Sequence, residues 1–465
     1  MGEVRHKPVK PLQVNPIRLT QPMGAALAFL GVDRCMPLMN GGIGCTSFTK
    51  VFFTRHFCEP IAIQTTAVTD ATAILDGGDA GIVEAVKNIT AKVSPSLIGL
   101  HTTGLTETKG DDIGGVARQV DFPLVYVHTT DYEGGLESGW GKATRALIEQ
   151  LVEPCTLVRR DKAVLLPHVS LQPIEVERIK EFVERFGFEV LALPDLSTSL
   201  DGHLGEKQSA LSSGGITVEE IRTLADAALV LSVGNSMKPS AAALLTKNPT
   251  MRHLHFPHLQ GLEATDSLVA ALLAETGQDR PRENIVRWRK RLQDALLDSH
   301  FALGKTRLLV VGEPDFLAGA CRVLAEAGAR TALAISTIDS PQLESLPADR
   351  ILVGDLEDAE NSCDEYDLIV GNFHCESLAH RCGKGLVLRG FPCWEIVGNQ
   401  LKNDHLYEGG AYFLCEVANA AEELQRTMPL APVRSAHSKR GSAEKRPGPA
   451  GFDFPCAYEP RRELE

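Results

Sequence analysis

Short apolar runs in this chain stop, one after another, in loops carrying Gly, Asp or His, and each is followed by an amphipathic stretch of helical period. That alternation restricts the fold to α/β architecture with parallel sheets, because consecutive parallel strands need a crossover long enough to be a helix. The pattern is clearest from Lys162 onward. AVLLPHVS reads as a strand, PIEVERIKEFVERF as a helix and FEVLALPD as the next strand; ALVLSVGN and MRHLHFP supply two more, and TDSLVAALLAETG a closing helix. After a long helical stretch, ENIVRWRKRLQDALLDSHFAL (283–303), the plan repeats in TRLLVVGEP, DFLAGACRVLAEAG and ARTALAIST, with further strands in RILVGD, YDLIVGN and KGLVLRG. Gly187 and Gly328 each follow a helix, where a left-handed cap is expected.

An earlier block has its clearest strands at Ser96–Leu100 and Pro123–Val127, which run into polar loops at 101–112 and 128–139. Three Rossmann-like domains are therefore expected, each a parallel sheet with helices on both faces and with ligands gathered at the carboxyl ends of the strands. Their expected spans are 19–160, 161–282 and, with the bridging helix, 283–431, after an N-terminal extension over 1–18. Beyond Pro432 the chain is rich in Pro, Gly and charge and lacks a periodic apolar face, so 432–465 reads as a mobile C-terminal tail.

At 465 residues the chain exceeds one ordinary hydrophobic core. No apolar run approaches the roughly 18 to 20 residues that cross a membrane. MGEVRHKPVKPLQVNPIRL lacks the continuous apolar stretch of a secretory signal, so a cytoplasmic protein is expected. A net charge of −13 argues against nucleic acid as a partner. The 11 cysteines, an odd number without a CxxC pair, point to free thiols or metal ligands rather than a disulfide framework.

Several apparent motifs dissolve on reading. Gly304-Lys305-Thr306 resembles the end of a phosphate loop, but Ser299 stands where Gly is required, and the triplet lies between a helix and a strand, the wrong order. His253, His255 and His258 have no acidic or Cys companion nearby and read as satisfied or surface histidines. Cys375, Cys382 and Cys393, with His374, are irregularly spaced and read as buried structural thiols. One segment stands apart. MPLMNGGIGCTSF surrounds Cys45 with Gly41, Gly42 and Gly44, which let backbone approach a bulky group and aim amides at it. An iron–sulfur cluster is such a group; a tight turn with an inert thiol is the plainer alternative. One Cys cannot hold a cubane, which normally takes four thiolates, so the other ligands would come from another chain.

NPIRLTQPMGAALAFLG (15–31), MPLMNGGIGCTSFTKVFFTRHFCEP (36–60), LHTTGLTETKGDD (100–112), PDLSTSLDGHL (194–204), LLDSHFALG (296–304) and VGDLED (353–358) together resemble the nitrogenase component 1 β-like family, in particular its cofactor-assembly branch. The resemblance implies three Rossmann-like domains of the nitrogenase component 1 type and pairing with a homologous NifE-like subunit in an α2β2 heterotetramer. It also identifies three positions at which the catalytic β chain of that family supplies thiolates to an eight-iron cluster. Here they are Thr20, Cys45 and Gly104. With two of the three missing, the resemblance implies a smaller 4Fe–4S cluster at the subunit interface, held by Cys45 and three ligands of the partner. Asn40 stands where the family often has His, and Cys35 and Cys58 are additional thiols near Cys45.

The function implied is not turnover but assembly: a scaffold on which the iron–molybdenum cofactor precursor, held mainly by the partner chain, is matured. An upstream donor supplies the precursor, the nitrogenase iron protein docks, and apo-nitrogenase accepts the product; neither nucleic acid nor membrane is involved. Two other readings of the residues are a reductase subunit (a nitrogenase β chain or a dark-operative protochlorophyllide reductase) and a cluster-free Rossmann-like binding module.

Overall fold

The computed structural model describes residues 4–6, 17–57, 61–68, 78–204, 210–394 and 396–427. Their strands form three sheets in which every pairing is parallel. The first strand, β1 (Val4–His6), belongs to the last of these sheets.

The first lobe has β2 (Cys35–Asn40), β3 (Gln64–Thr65), β4 (Leu97–Thr102) and β5 (Leu124–Val127), in the order β3-β2-β4-β5. Its helices are α1 (Gln21–Leu30), α2 (Ile43–His56), α3 (Asp79–Lys92), α4 (Gly104–Lys109), α5 (Ile113–Ala117) and α6 (Leu136–Leu151). Every residue of β2 and β4 is buried, as the central strands of a sheet covered on both faces must be.

The second lobe orders β6 (Arg159–Leu166), β7 (Glu189–Ala192), β8 (Ala227–Val233) and β9 (Arg252–Phe256) as β7-β6-β8-β9. Around them lie α7 (Pro173–Glu184), α8 (Val218–Arg222), α9 (Lys238–Lys247) and α10 (Gly261–Thr276). The third lobe follows the bridging helix α11 (Glu283–Leu303), which has the limits expected from its periodicity. Its strands are β10 (Arg307–Gly312), β11 (Arg330–Ser336), β12 (Ala348–Val353), β13 (Leu368–Gly371) and β14 (Gly385–Leu388); with β1 the order is β1-β12-β11-β10-β13-β14. Its helices are α12 (Pro314–Glu326), α13 (Leu356–Glu360), α14 (Cys375–Cys382) and α15 (Leu406–Thr427).

In each sheet the chain leaves a central pair of strands in opposite directions, between β2 and β4, β6 and β8, and β10 and β13. Loops at the carboxyl ends part there and open a crevice. Gly187 and Gly328 are left-handed, at φ 100° and 79°.

Three features depart from the sequence expectations. The N-terminal extension contributes the edge strand β1, with Val4 opposite Ile351, so 1–18 is not wholly outside the lobes. The loop expected at 101–112 holds helix α4; it has no apolar periodicity, and its start is fixed by polar groups, with Thr103 N–H donating to Thr106 Oγ1 at 3.0 Å. Finally, Cys363 and Cys382 form a disulfide, with Cα atoms 5.9 Å apart, where free thiols were expected. The tail expected at 432–465 lies outside the described residues, as does Cys58. Among the described residues no helix is long and apolar enough to cross a membrane.

All ten residues of α1 are buried, in a core shared by the first two lobes. It crosses α6 at two glycines. A Cβ on Gly24 would lie 2.0 Å from the Leu136 carbonyl oxygen, and one on Gly139 2.0 Å from that of Gln21. The three lobes meet at His56, the last residue of α2 and 3% exposed. Its Nδ1 accepts the Cys393 N–H at 2.8 Å, its Nε2 lies 3.1 Å from Gln172 Oε1, and its ring packs edge-on against Phe391. Burial lowers its pKa to about 3, so the imidazole is neutral. Beside it His405 pairs with Glu175 at 2.8 Å, and Arg389 pairs with Asp404 and Glu416.

Two outcomes are expected. Gly24→Ala or Gly139→Ala overpacks the helix crossing and costs about 1–3 kcal/mol, read as a lower urea midpoint; an unchanged midpoint would mean that α1 and α6 can part freely. The second concerns acid. His56 and His101 are buried, with pKa values lowered from 6.5 to about 3 and about 4. Their contribution is therefore complete above 6.5 and declines as pH falls from 6.5 toward those folded values, because the unfolded chain takes up the protons first. Each contribution shrinks by roughly 2 kcal/mol at pH 5. Urea unfolding at pH 7 and 5 should show the loss, and His56→Gln should reduce it; an equal loss in wild type and variant refutes the assignment.

Candidate functional site

β2 ends at Asn40, Gly41 and Gly42 turn the chain, and α2 begins at Ile43, placing Cys45 at the third helical position. No side chain caps this end of the helix. Its first amides and the positive end of the helix dipole therefore favour an anion such as a thiolate. Cys45 is exposed. The glycines divide in role. A Cβ on Gly41 would meet Thr103 Cγ2 at 2.6 Å, so that residue is small because its own chain crowds it. Gly44 has nothing within 4 Å and Gly42 only the Val68 carbonyl at 3.8 Å; there the open side faces outward.

Asn40, fully buried, explains itself as a hub. Its Nδ2 donates to Asp111 Oδ2 at 2.8 Å, and its Oδ1 accepts from Thr66 Oγ1 at 2.8 Å. Its carbonyl accepts from Thr103 and Thr106 at 3.1 and 2.9 Å. The end of β2 is thus bonded to the segment that carries position 104. An imidazole here would become donor-only on protonation and lose the bond from Thr66, whereas the amide donates and accepts at every pH.

Gly104 opens α4 beside the same crevice, Asn40 being opposite Thr102 in the sheet. Its N–H donates to Asp131 Oδ2 at 2.7 Å, and a Cβ would lie 2.9 Å from that oxygen. The space a thiolate would need at this position is taken by a carboxylate. Thr20, at the N-cap of α1, is half-buried and adjacent in the chain to Gln21, whose Oε1 accepts from Thr130 N–H. The three positions therefore gather at one end of the first sheet, and only Cys45 carries a thiol.

Cys35 begins β2 and Cys45 lies beyond its end. A six-residue strand spans roughly 17–20 Å. Cys35 is also fully buried, and burial pushes its thiol well up. It is remote from Cys45 and protonated. Cys375 and Cys393 are buried with thiols pushed up to about 12, the inert behaviour expected of them, while Cys382 is in the disulfide. His253 and His255 share Ser232 Oγ at 2.8 and 2.9 Å and are satisfied, as expected. Among the described residues no three His, Cys, Asp or Glu side chains are grouped to hold a metal ion.

Sequence reading missed two parts of the site. One is Asp131, inside a loop without pattern. The other is the apolar ground around Cys45: Ile43, Phe48 and Val51 on α2, Leu105 on α4 and Tyr132 are 52%, 72%, 50%, 44% and 59% exposed. Only the aromatic content of FTKVFF hinted at it, and that content serves the core equally through Phe53.

The sequence pattern of the nitrogenase component 1 type oxidoreductases matches residues 20–422. The nitrogenase iron-molybdenum cofactor biosynthesis protein NifN of Rippkaea orientalis is 38% identical over 437 residues, covering 89% of this chain and 94% of that protein. NifN of Klebsiella pneumoniae is 34% identical, covering 89% and 92%. Among solved structures, a chain of nitrogenase Cp1 at pH 6.5 superposes with a TM-score of 0.86 at 24% identity, over 93% of this chain and 98% of that one, which bears on the fold. By the extent of these matches, and with its site built as described, the chain belongs to the nitrogenase component 1 type oxidoreductase family, among its NifN members.

Proposed function

We propose that this chain is one half of a scaffold on which the precursor of the nitrogenase iron–molybdenum cofactor is matured before transfer to apo-nitrogenase. The observation that carries the reading is the exposed thiol of Cys45, at an uncapped helix start in the midst of exposed apolar side chains. Large apolar residues clustered on a surface mark a contact with another macromolecule. A lone thiolate within such a contact is suited to share a cluster with the partner, and a NifE-like subunit in an α2β2 heterotetramer fills that role.

The residues present fit a 4Fe–4S cubane in part: one thiolate here and three from the partner. When bound, such a cluster supplies one-electron transfer. This chain's contribution is positional. Cys45 would offer one ligand, Gly42 and Gly44 leave room, and the uncapped amides at the start of α2 would be free to donate to a cluster held there. Asp131 and Thr20 occupy the places where two further thiolates would be required for an eight-iron cluster, which weighs against a nitrogenase β chain. The precursor is held mainly by the partner and reaches it from an upstream donor; the nitrogenase iron protein docks across both chains. The scaffold needs no turnover of its own, and works in the cytoplasm.

Cys45→Ala should abolish or alter the EPR signal of the dithionite-reduced complex and lower iron by about four or fewer atoms per heterodimer. The complex should still assemble, since one ligand adds little to an obligate interface. Cys35→Ala, made in parallel, should keep signal and iron. Retention of both in Cys45→Ala would refute the ligand assignment.

A further inference from the structure

The carboxyl-end rim of the third sheet, at the segments after β12 and β13, is the least explained by the reading above. The loop after β13 carries Phe373 and His374, and Leu356 opens α13 just after β12. Facing them from the first lobe are Leu19, Phe52 and Arg18, and together these line a cleft of about 490 Å³. Ligand pockets run from about 300 to 1,000 Å³ and favour inter-domain clefts of this kind.

We propose that this cleft binds a small organic carboxylate with a flat apolar body. The walls are apolar and already fixed. Phe52 and Phe373 both pack on Trp394, with ring centroids 4.9 and 4.8 Å away, and the Arg55 guanidinium sits 4.6 Å from the same indole. A planar ring entering the cleft would find aromatic faces held in place, at little ordering cost.

The charge selects an anion. Arg381 lines the cleft too, but both its Nε and Nη2 are bonded to Glu360 at 2.9 Å, which neutralises it. Arg18 is different: half-buried, it donates from Nη2 to the Asp131 carbonyl at 3.1 Å, and among the described residues no carboxylate lies within ion-pair distance of it, although its charge reaches the buried Glu313. Its remaining donors form the planar fork that matches a carboxylate. His374 adds a neutral group: burial lowers its pKa, and its Nε2 is buried without a hydrogen-bond partner. Glu376, the lining carboxylate, is exposed and solvated on α14, so it asks for no counter-ion and orients an incoming carboxylate toward Arg18. The neighbouring void at the junction of the three lobes, about 20 Å³ and walled by paired ions, has room for little more than a water molecule.

The test uses phenylacetate as probe and 2-phenylethylammonium as its opposite-charge counterpart, titrated by calorimetry into the full chain at pH 7. Phenylacetate should bind saturably, with a change in intrinsic tryptophan fluorescence that follows the binding heat. Arg18→Gln should weaken binding about tenfold or more, Arg18→Lys less, and Phe52→Ala should weaken it with the charge intact. Unfolding midpoints close to wild type establish that each variant is folded. Absence of saturable phenylacetate binding, equal binding of the ammonium probe, or undiminished affinity in a folded Arg18→Gln each overturns the proposal.

Discussion

One uncharged imidazole ties the three lobes together. His56 terminates the helix that begins next to Cys45, and its two nitrogens engage a side chain of the second lobe and a backbone amide of the third. A charged ring could not accept from Cys393 N–H, and nothing close by would compensate a cation in that position. The direction of α2, and so where Cys45 points, is set at the far end of the helix by a group buried among Phe57, Phe391 and Gln172. The candidate site is exposed, but its geometry is decided in the interior.

The first and third sheets are built alike and filled differently at their carboxyl ends. In the first sheet, Asn40, Thr103, Thr106 and Asp111 close the floor with hydrogen bonds, and only the rim with Cys45 stays open. In the third, Phe373 and Leu356 leave the floor apolar and unfilled. The same architecture thus offers a polar, closed seat where a thiol faces outward and a hydrophobic, open one where a guanidinium faces inward. The difference lies in loop residues alone, which is how one fold serves unlike ligands.

What the sequence revealed follows from which forces are periodic. Apolar burial on strands and helices repeats along the chain, so the parallel sheets, the bridging helix at 283–303 and the caps at Gly187 and Gly328 were all legible. Cys45 was legible because three glycines around a thiol are chemically unusual. Asp131 was not: a carboxylate in a loop becomes meaningful only when folding sets it 2.7 Å from the Gly104 amide. Helix α4 escaped because its stability comes from threonine hydroxyls, which read equally as loop. The Cys363–Cys382 link escaped because sequence spacing says nothing of how β13 and α14 return the second thiol to the first. The exposure of Ile43, Phe48 and Val51 was not legible, since hydropathy cannot tell a face that packs on its own chain from one that waits for another.

The edge strand β1 imposes an order on synthesis. Val4, Arg5 and His6 leave the ribosome long before their partners, Ile351, Leu352 and Val353, which emerge only after two complete lobes and the first strands of the third. Until then the amino end has no place to dock. The loop it closes takes in two whole lobes and the first strands of the third, and closing it costs entropy that no local contact offsets in advance. The strand that precedes all the other described strands is therefore placed only after β12 has been made. When it docks, it covers the open edge of β12, so the third sheet keeps an unpaired backbone edge until then.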